Sequence, residues 1–297
     1  MITKHQLLCG AAVVIISGCL IYTHNQISNS YNISEEDKRR QEARKFLSNP
    51  KNGNPFLWVH VPYKKNARRW DDFMSRNSEN LNQPYLELCV RTIIQHNDSN
   101  FNICIVDDDS FADLIPNWQY KPSELSDSIR AYAMSQLIYL YGGMVVPISF
   151  LCLRNLRDFY NTSVSTGLAF AMIPPDNEPS PLEFFGAMKE SEQIKNIGNQ
   201  FKAIGEELPT SEKVDVLSNS NITLIPNTIA GGYPDLYNLL EAECYKLPLD
   251  ALGIWIPREQ ILQSMHYRWF TFKSEEQVLE GDYTLAKYFV KSIDTTN

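Results

Sequence analysis

Three absences narrow this chain before any motif is read. It has no excess of positive charge: 27 Lys and Arg against 35 Asp and Glu leave a net charge of −8. That argues against nucleic acid as the main partner, because phosphate binding needs a basic surface. It has no C-x-x-C spacing among its six cysteines, so a zinc site is not expected. It also lacks G-x-S-x-G, P-loop, H-E-x-x-H and Rossmann fingerprints, as well as internal repeats and low-complexity tracts. The charged fraction of 21% is ordinary and aromatics are plentiful, so global disorder is not expected.

What is present begins with Leu7–Tyr22, LLCGAAVVIISGCLIY, sixteen residues without a charge. As a helix it spans about 24 Å, short against a hydrocarbon core of about 30 Å. Lys4 precedes it, and the first acidic residue, Glu35, comes well after it. The leading reading is a signal anchor over 7–22, with a cytoplasmic tip at 1–6 and the rest lumenal or extracytoplasmic. A cleaved secretory signal is a second reading. A bacterial lipoprotein box at Ile16-Ser17-Gly18-Cys19 is a third, weakened by the apolar Leu20-Ile21-Tyr22 beyond it. Sequons at Asn32, Asn97, Asn161 and Asn221 fit a lumenal domain. Cys89, Cys104, Cys152 and Cys244 lie mostly in apolar or amphipathic segments, which fits buried thiols better than disulfides.

Residues 23–54 read as a polar stem. Ser34 caps a short charged helix there, with acids in its first turn and Glu35–Arg39 and Glu36–Arg40 as helical neighbours. Lys51-Asn52-Gly53-Asn54-Pro55 breaks the chain, and a domain over 55–297 follows. Strands are expected at Phe56–Val61, Phe101–Val106, Met144–Phe150, Gly167–Ile173, Ile222–Ile225 and Gly253–Ile256. Helices are expected at Leu81–Asn97, Ser123–Tyr141, Pro181–Lys195, Asp235–Tyr245, Arg258–His266 and Glu275–Ile293. The continuous apolar run FNICIV suits a strand buried on both faces. The alternation predicts an α/β domain with a mainly parallel sheet, whose ligands bind beyond the C-terminal strand ends.

Ser126-Asp127-x-x-Arg130, Leu140-Tyr141-Gly142-Gly143 and the apolar run MVVPISF stand in a telling order after the aspartates 107–109. Together they resemble the core signature of the DxD-type glycosyltransferases, the class of the yeast initiating mannosyltransferase and the capsular-polysaccharide sugar transferases. The resemblance covers roughly Phe56 to Leu156. It implies a GT-A-like nucleotide-sugar-binding sandwich, a nucleotide sugar donor and a glycan or glycolipid acceptor.

The resemblance has two departures. Arg130 precedes Gly142 by twelve residues where the family has about eight, a shift of nearly one helical turn that keeps the same face to within about 40°. The second is chemical. A D-x-D pair puts two carboxylates on one side of a strand, where they hold Mn²⁺ or Mg²⁺ against the leaving diphosphate. Here those positions hold Pro147 and Ser149, so the usual metal ligands are missing and no metal residue is assigned.

The resemblance implies Asp127 and Arg130 as catalytic candidates. It places His60, Tyr63, Asp107, Asp108, Asp109, Gly142, Gly143, Ser149 and His266 around the nucleotide sugar. Each also has a plain reading: a solvated turn for the aspartate triplet, a helix cap and surface pair for Asp127 and Arg130, an aromatic core cap for His266 and Trp269. The basic loop Lys64, Lys65, Arg68, Arg69 is a candidate diphosphate contact or a solvated charge run. The segments Asn66–Asn77, Leu81–Tyr85 and Trp269–Leu279 also resemble uncharacterised membrane-anchored proteins of large DNA viruses. Two functions follow as expectations: a membrane-anchored sugar transferase, working either without metal or with Mn²⁺ or Mg²⁺ placed at Asp107–Asp109 instead, or a fold of that type that lost its acids and serves as a tethered binding or structural protein.

Overall fold

The computed structural model describes residues 43–48, 50, 53–62, 83–173, 183–207, 221–232 and 234–294. The expected anchor over 7–22, the stem helix cap at Ser34, Tyr63 and the basic loop all lie outside the described residues. No helix among the described residues is long and apolar enough to cross a membrane. The chain separates into two compact units, Met1–Phe46 and Leu47–Asn297, and the architecture below is that of the second.

The domain is α/β with a mainly parallel six-stranded sheet. Strand β1 (Phe56–Val61) leads into helix α1 (Pro84–Asn97) and strand β2 (Asn102–Asp107). A short helix α2 (Ser110–Leu114) and the long helix α3 (Asp127–Tyr141) then bring the chain to β3 (Gly143–Val146). Next come β4 (Phe150–Cys152), α4 (Arg157–Val164), β5 (Phe170–Met172), β6 (Phe185–Ala187), α5 (Glu192–Glu207) and β7 (Thr223–Ile225). The chain ends with α6 (Leu236–Leu240), β8 (Gly253–Trp255), α7 (Arg258–Gln263), α8 (Glu275–Leu279) and α9 (Thr284–Asp294).

The strand order is β2-β1-β3-β6-β5-β7, with β4 and β8 forming a separate antiparallel pair. β1 runs parallel to both β2 and β3, β5 runs parallel to β7, and β6 alone is antiparallel to its neighbours. The chain leaves β1 toward one side and returns on the other. The crevice beyond the C-terminal ends of β1 and β3 is therefore a topological switch point, where open α/β sheets bind their ligands.

Period-two alternation explains how β1 holds both layers together. Leu57 and Val59 enter the main core with Tyr85, Leu88, Cys89 and Ile93 of α1 and Phe289 of α9. Trp58 turns to the opposite face, where its indole N–H donates to the Gly142 carbonyl (3.0 Å) beside Tyr141. Each such fully buried side chain contributes about 1.5–3 kcal/mol.

Several expectations need correction. The run FNICIV is not buried on both faces: β2 is an outer strand, and Ile105 is exposed. The expected strand Met144–Phe150 is two strands, because Pro147 opens a turn in which its carbonyl accepts the Phe150 N–H (3.0 Å). A proline that cannot donate a ladder hydrogen bond ends β3 there. The stretch expected as one helix over 181–195 contains β6 before α5 begins. Its Gly186 is needed because a Cβ would stand 2.8 Å from the Gly143 carbonyl oxygen. Glu275–Ile293 divides into α8 and α9 around Gly281.

The described cysteines form no disulfide. Cys89 and Cys152 are buried thiols as expected, whereas Cys104 is half-buried and Cys244 exposed. The sequon at Asn97 is also internal: that side chain is fully buried at the end of α1 and bonded on both its nitrogen and its oxygen.

Candidate functional site

Four of the candidates meet beyond the C-terminal ends of β1 and β2. His60 sits near the end of β1, paired with Val106 of β2. Asp108 follows β2 directly, and Asp127 and Arg130 occupy the first turn of α3. Local sequence sets up that turn. The Ser126 hydroxyl accepts the Ile129 N–H (3.2 Å) as N-cap, and Asp127 places a negative charge at the positive end of the helix.

Asp108 is the centre of the cluster. Its side chain is fully buried and accepts from three directions. His60 Nε2–H donates to Oδ1 (2.8 Å), Arg130 Nε–H is shared between Oδ1 and Oδ2 (3.1 Å each), and Arg130 Nη2 donates to Oδ2 (2.8 Å). Burial opposes its charge, but the hydrogen bonds from His60 and Arg130 outweigh it and hold the carboxyl below its ordinary range. Arg130 is itself buried, and its Nη1 donates to Asp127 Oδ1 (3.1 Å). Asp127 stays 53% exposed, so its carboxylate is the part of the network that faces solvent.

The other two aspartates do different work. Asp107 is exposed and caps the following turn, with Oδ1 accepting both the Ser110 N–H (2.9 Å) and the Ser110 hydroxyl (2.5 Å). Asp109 is exposed at the N-cap of α2 and makes no side-chain cap bond. Asp108 lies two residues beyond the buried Val106, on the inward side of the pleat, and that burial in the fold separates it from Asp107 and Asp109.

Gly142 and Gly143 are not brought to this cluster. They stand at the start of β3, at the opposite end of the sheet. Gly142 ends α3 with φ 75°, and Gly143 has φ 99°, with a hypothetical Cβ only 2.2 Å from the Phe56 carbonyl oxygen. Their requirement is conformational: two elements approach closely and the backbone is left-handed. Ser149 is buried, and its hydroxyl donates to the Ile256 carbonyl (3.0 Å), tying β4 to the segment after β8. Pro147 is buried beside it. Pro147 and Ser149 thus offer neither a carboxylate nor an open face, and the residues do not fit a divalent cation there. No group of three or more His, Cys, Asp or Glu among the described residues is arranged to hold a metal.

His266 belongs to another surface. It is 73% exposed, bonded through Nε2 to Glu241 Oε1 (2.7 Å) and packed on Tyr267. The His60 ring leads instead to an aromatic row the sequence reading did not single out. Phe111 lies 5.2 Å from His60, Trp118 lies 5.4 Å from Phe111, and the half-buried Tyr132 stacks on Trp118 at 6.0 Å. Tyr132 is two residues past Arg130, and Trp118 pairs with Tyr120 (5.0 Å) in a W-x-Y sequence ahead of the helix, which was the available signal for Trp118.

No known protein family, curated protein or solved structure matches this chain.

Proposed function

We propose that this chain is a membrane-anchored, glycosyltransferase-like protein whose GT-A-type domain, lumenal or extracytoplasmic, takes a nucleotide sugar without a divalent metal and passes the sugar to a glycan or glycolipid. The observation that carries the reading is the convergence of His60, Asp108, Arg130 and Asp127 beyond the C-terminal ends of β1 and β2, one strand from the switch point between β1 and β3 of a mainly parallel sheet. In this reading Asp108 and His60 fix the Arg130 guanidinium. Arg130 in turn orients the Asp127 carboxylate, whose exposed oxygens accept hydrogen bonds from sugar hydroxyls. Phe111, packed on His60, and Trp118, packed on Phe111, extend the cluster into an aromatic row whose half-buried Trp118 can meet a sugar or base ring. The test is binding and turnover of UDP- and GDP-sugars by the purified full chain, with and without Mn²⁺. Binding that is unchanged by Mn²⁺ and weakened at least tenfold by Asp127→Ala supports the reading; no binding of any nucleotide sugar sinks it.

A second reading, a tethered binding or structural protein on the same fold, is favoured by one specific observation. Arg130 already spends Nε, Nη1 and Nη2 on two carboxylates, which leaves the cluster poorly suited to attract a diphosphate. Saturable binding of nucleotide sugar or glycan without transfer or hydrolysis would decide for it.

A further inference from the structure

Three of the four sequons fall on described residues, and their surroundings separate them sharply. Asn97 is 0% exposed. Its Nδ2 donates to the Ile93 carbonyl (2.9 Å) and the Cys152 sulfur (3.4 Å), and its Oδ1 accepts the Leu156 N–H (2.8 Å). A glycan on that nitrogen has no room and breaks the bonds that join α1 to β4 and α4. Asn161 is exposed on α4, whose buried side is formed by Tyr160 and Val164 and by Phe159 packed on Phe170 (5.4 Å). Asn221 is exposed two residues before the Thr223 N–H bonds the Ala169 carbonyl (2.9 Å), at the start of β7.

The position of Asn221 adds a physical purpose. β7 is an outer strand of the sheet, with Thr223 exposed and Leu224 44% exposed. Among the described residues no strand pairs with the outer side of β7; an edge carrying an apolar side chain is a template for pairing with another chain, and proteins cover such edges. β5 and β7 run parallel to β1, so Asn221 lies toward the end of the sheet opposite the Asp108 cluster. A bulky, solubilising glycan there shields the edge and leaves the ligand crevice clear.

We propose that Asn161 and Asn221 carry N-linked glycans, that Asn97 carries none, and that the Asn221 glycan covers the β7 edge. In this modification the asparagine Nδ2 forms a bond to the anomeric carbon of a lipid-linked oligosaccharide. The bond from that carbon to the lipid diphosphate breaks, the lipid diphosphate leaves, and Nδ2 gives up one proton. The inference rests on the lumenal placement of the domain proposed above.

The experiment expresses the full chain in eukaryotic secretory cells in an Asn32→Gln background and follows mobility before and after enzymatic removal of N-glycans. Two glycan steps are expected, with Asn161→Gln and Asn221→Gln each losing one and Asn97→Gln losing none. A glycan on Asn97, or the absence of one on either other site, overturns the assignment. If the chain carries no glycan at all, protease protection of the same microsomes shows whether lumenal placement failed with it or stands. Light scattering tests the edge: Asn221→Gln should self-associate more than Asn161→Gln, and equal behaviour removes the shielding role.

Discussion

The Arg130 guanidinium, projecting from the first turn of α3, grips both carboxylate oxygens of Asp108 at the end of β2, with Nη2 2.8 Å from Oδ2 and Nε 3.1 Å from each. The pair joins two elements 22 residues apart in sequence at the end of the sheet where a ligand would enter. Breaking a buried pair from one side leaves an uncompensated charge and costs about 3–5 kcal/mol. Asp108→Ala should lose that much in urea unfolding. Asp108→Ala combined with Arg130→Met should recover a large part of it, because no buried charge remains.

The same pair sets an acid limit. The folded Asp108 carboxyl titrates below its ordinary value, so its contribution is fully present above the unfolded pKa of about 3.9. It is lost as pH falls through the lower, folded value. Urea midpoints measured between pH 7 and pH 2 should therefore show an acid-side loss that is much smaller in Asp108→Asn. An identical profile in that variant would remove Asp108 as the cause.

Asp127 separates binding from folding. Its carboxylate is half exposed, and a surface ion pair contributes about 0–1 kcal/mol. Asp127→Asn should leave thermal stability nearly unchanged and still weaken nucleotide-sugar binding. A loss of stability equal to that of Asp108→Ala would assign Asp127 to the fold.

Ser149 should behave in the opposite way. Ser149→Ala deletes its bond to the Ile256 carbonyl and should cost about 1 kcal/mol, with no effect on ligand binding. Ser149→Asp should not create metal dependence, since it would bury a carboxylate against that carbonyl oxygen. Titration with Mn²⁺, read by thermal shift, checks this directly.

The glycine pair gives a structural test. Gly143→Ala forces a Cβ to within 2.2 Å of the Phe56 carbonyl at φ 99° and should abolish soluble expression. Gly142→Ala, at φ 75° with 3.0 Å to the Lys189 nitrogen, should cost about 1–3 kcal/mol. Circular dichroism melts of any soluble product measure both.

Local rules made some of this domain legible. β1 matches its expected Phe56–Val61 bounds because an apolar run between Pro55 and Pro62 leaves few alternatives. α3 was readable from its Gly142 stop, but its cap is Ser126 and not Asp127, and the preceding Pro122–Glu124 turn separates from the expected span. β6 escaped because three residues, one of them Gly186, carry almost no periodic signal. The pair of helices at 275–294 read as one because the apolar spacing runs through the Gly281 break.

By itself the sequence determined the alternation of strands and helices, the helix that presents Asp127 and Arg130, and the absence of a carboxylate at Pro147 and Ser149. Those follow from neighbours within a turn or two of one another. Only the tertiary structure decided that Asp108, and not Asp107 or Asp109, receives Arg130 and His60. It also decided that Gly142 and Gly143 serve strand packing, that His266 faces elsewhere, and that Ser149 is spent on Ile256. The reason is that partnership of a buried polar group is set by what lies across the sheet or the core, and sequence spacing carries no record of it.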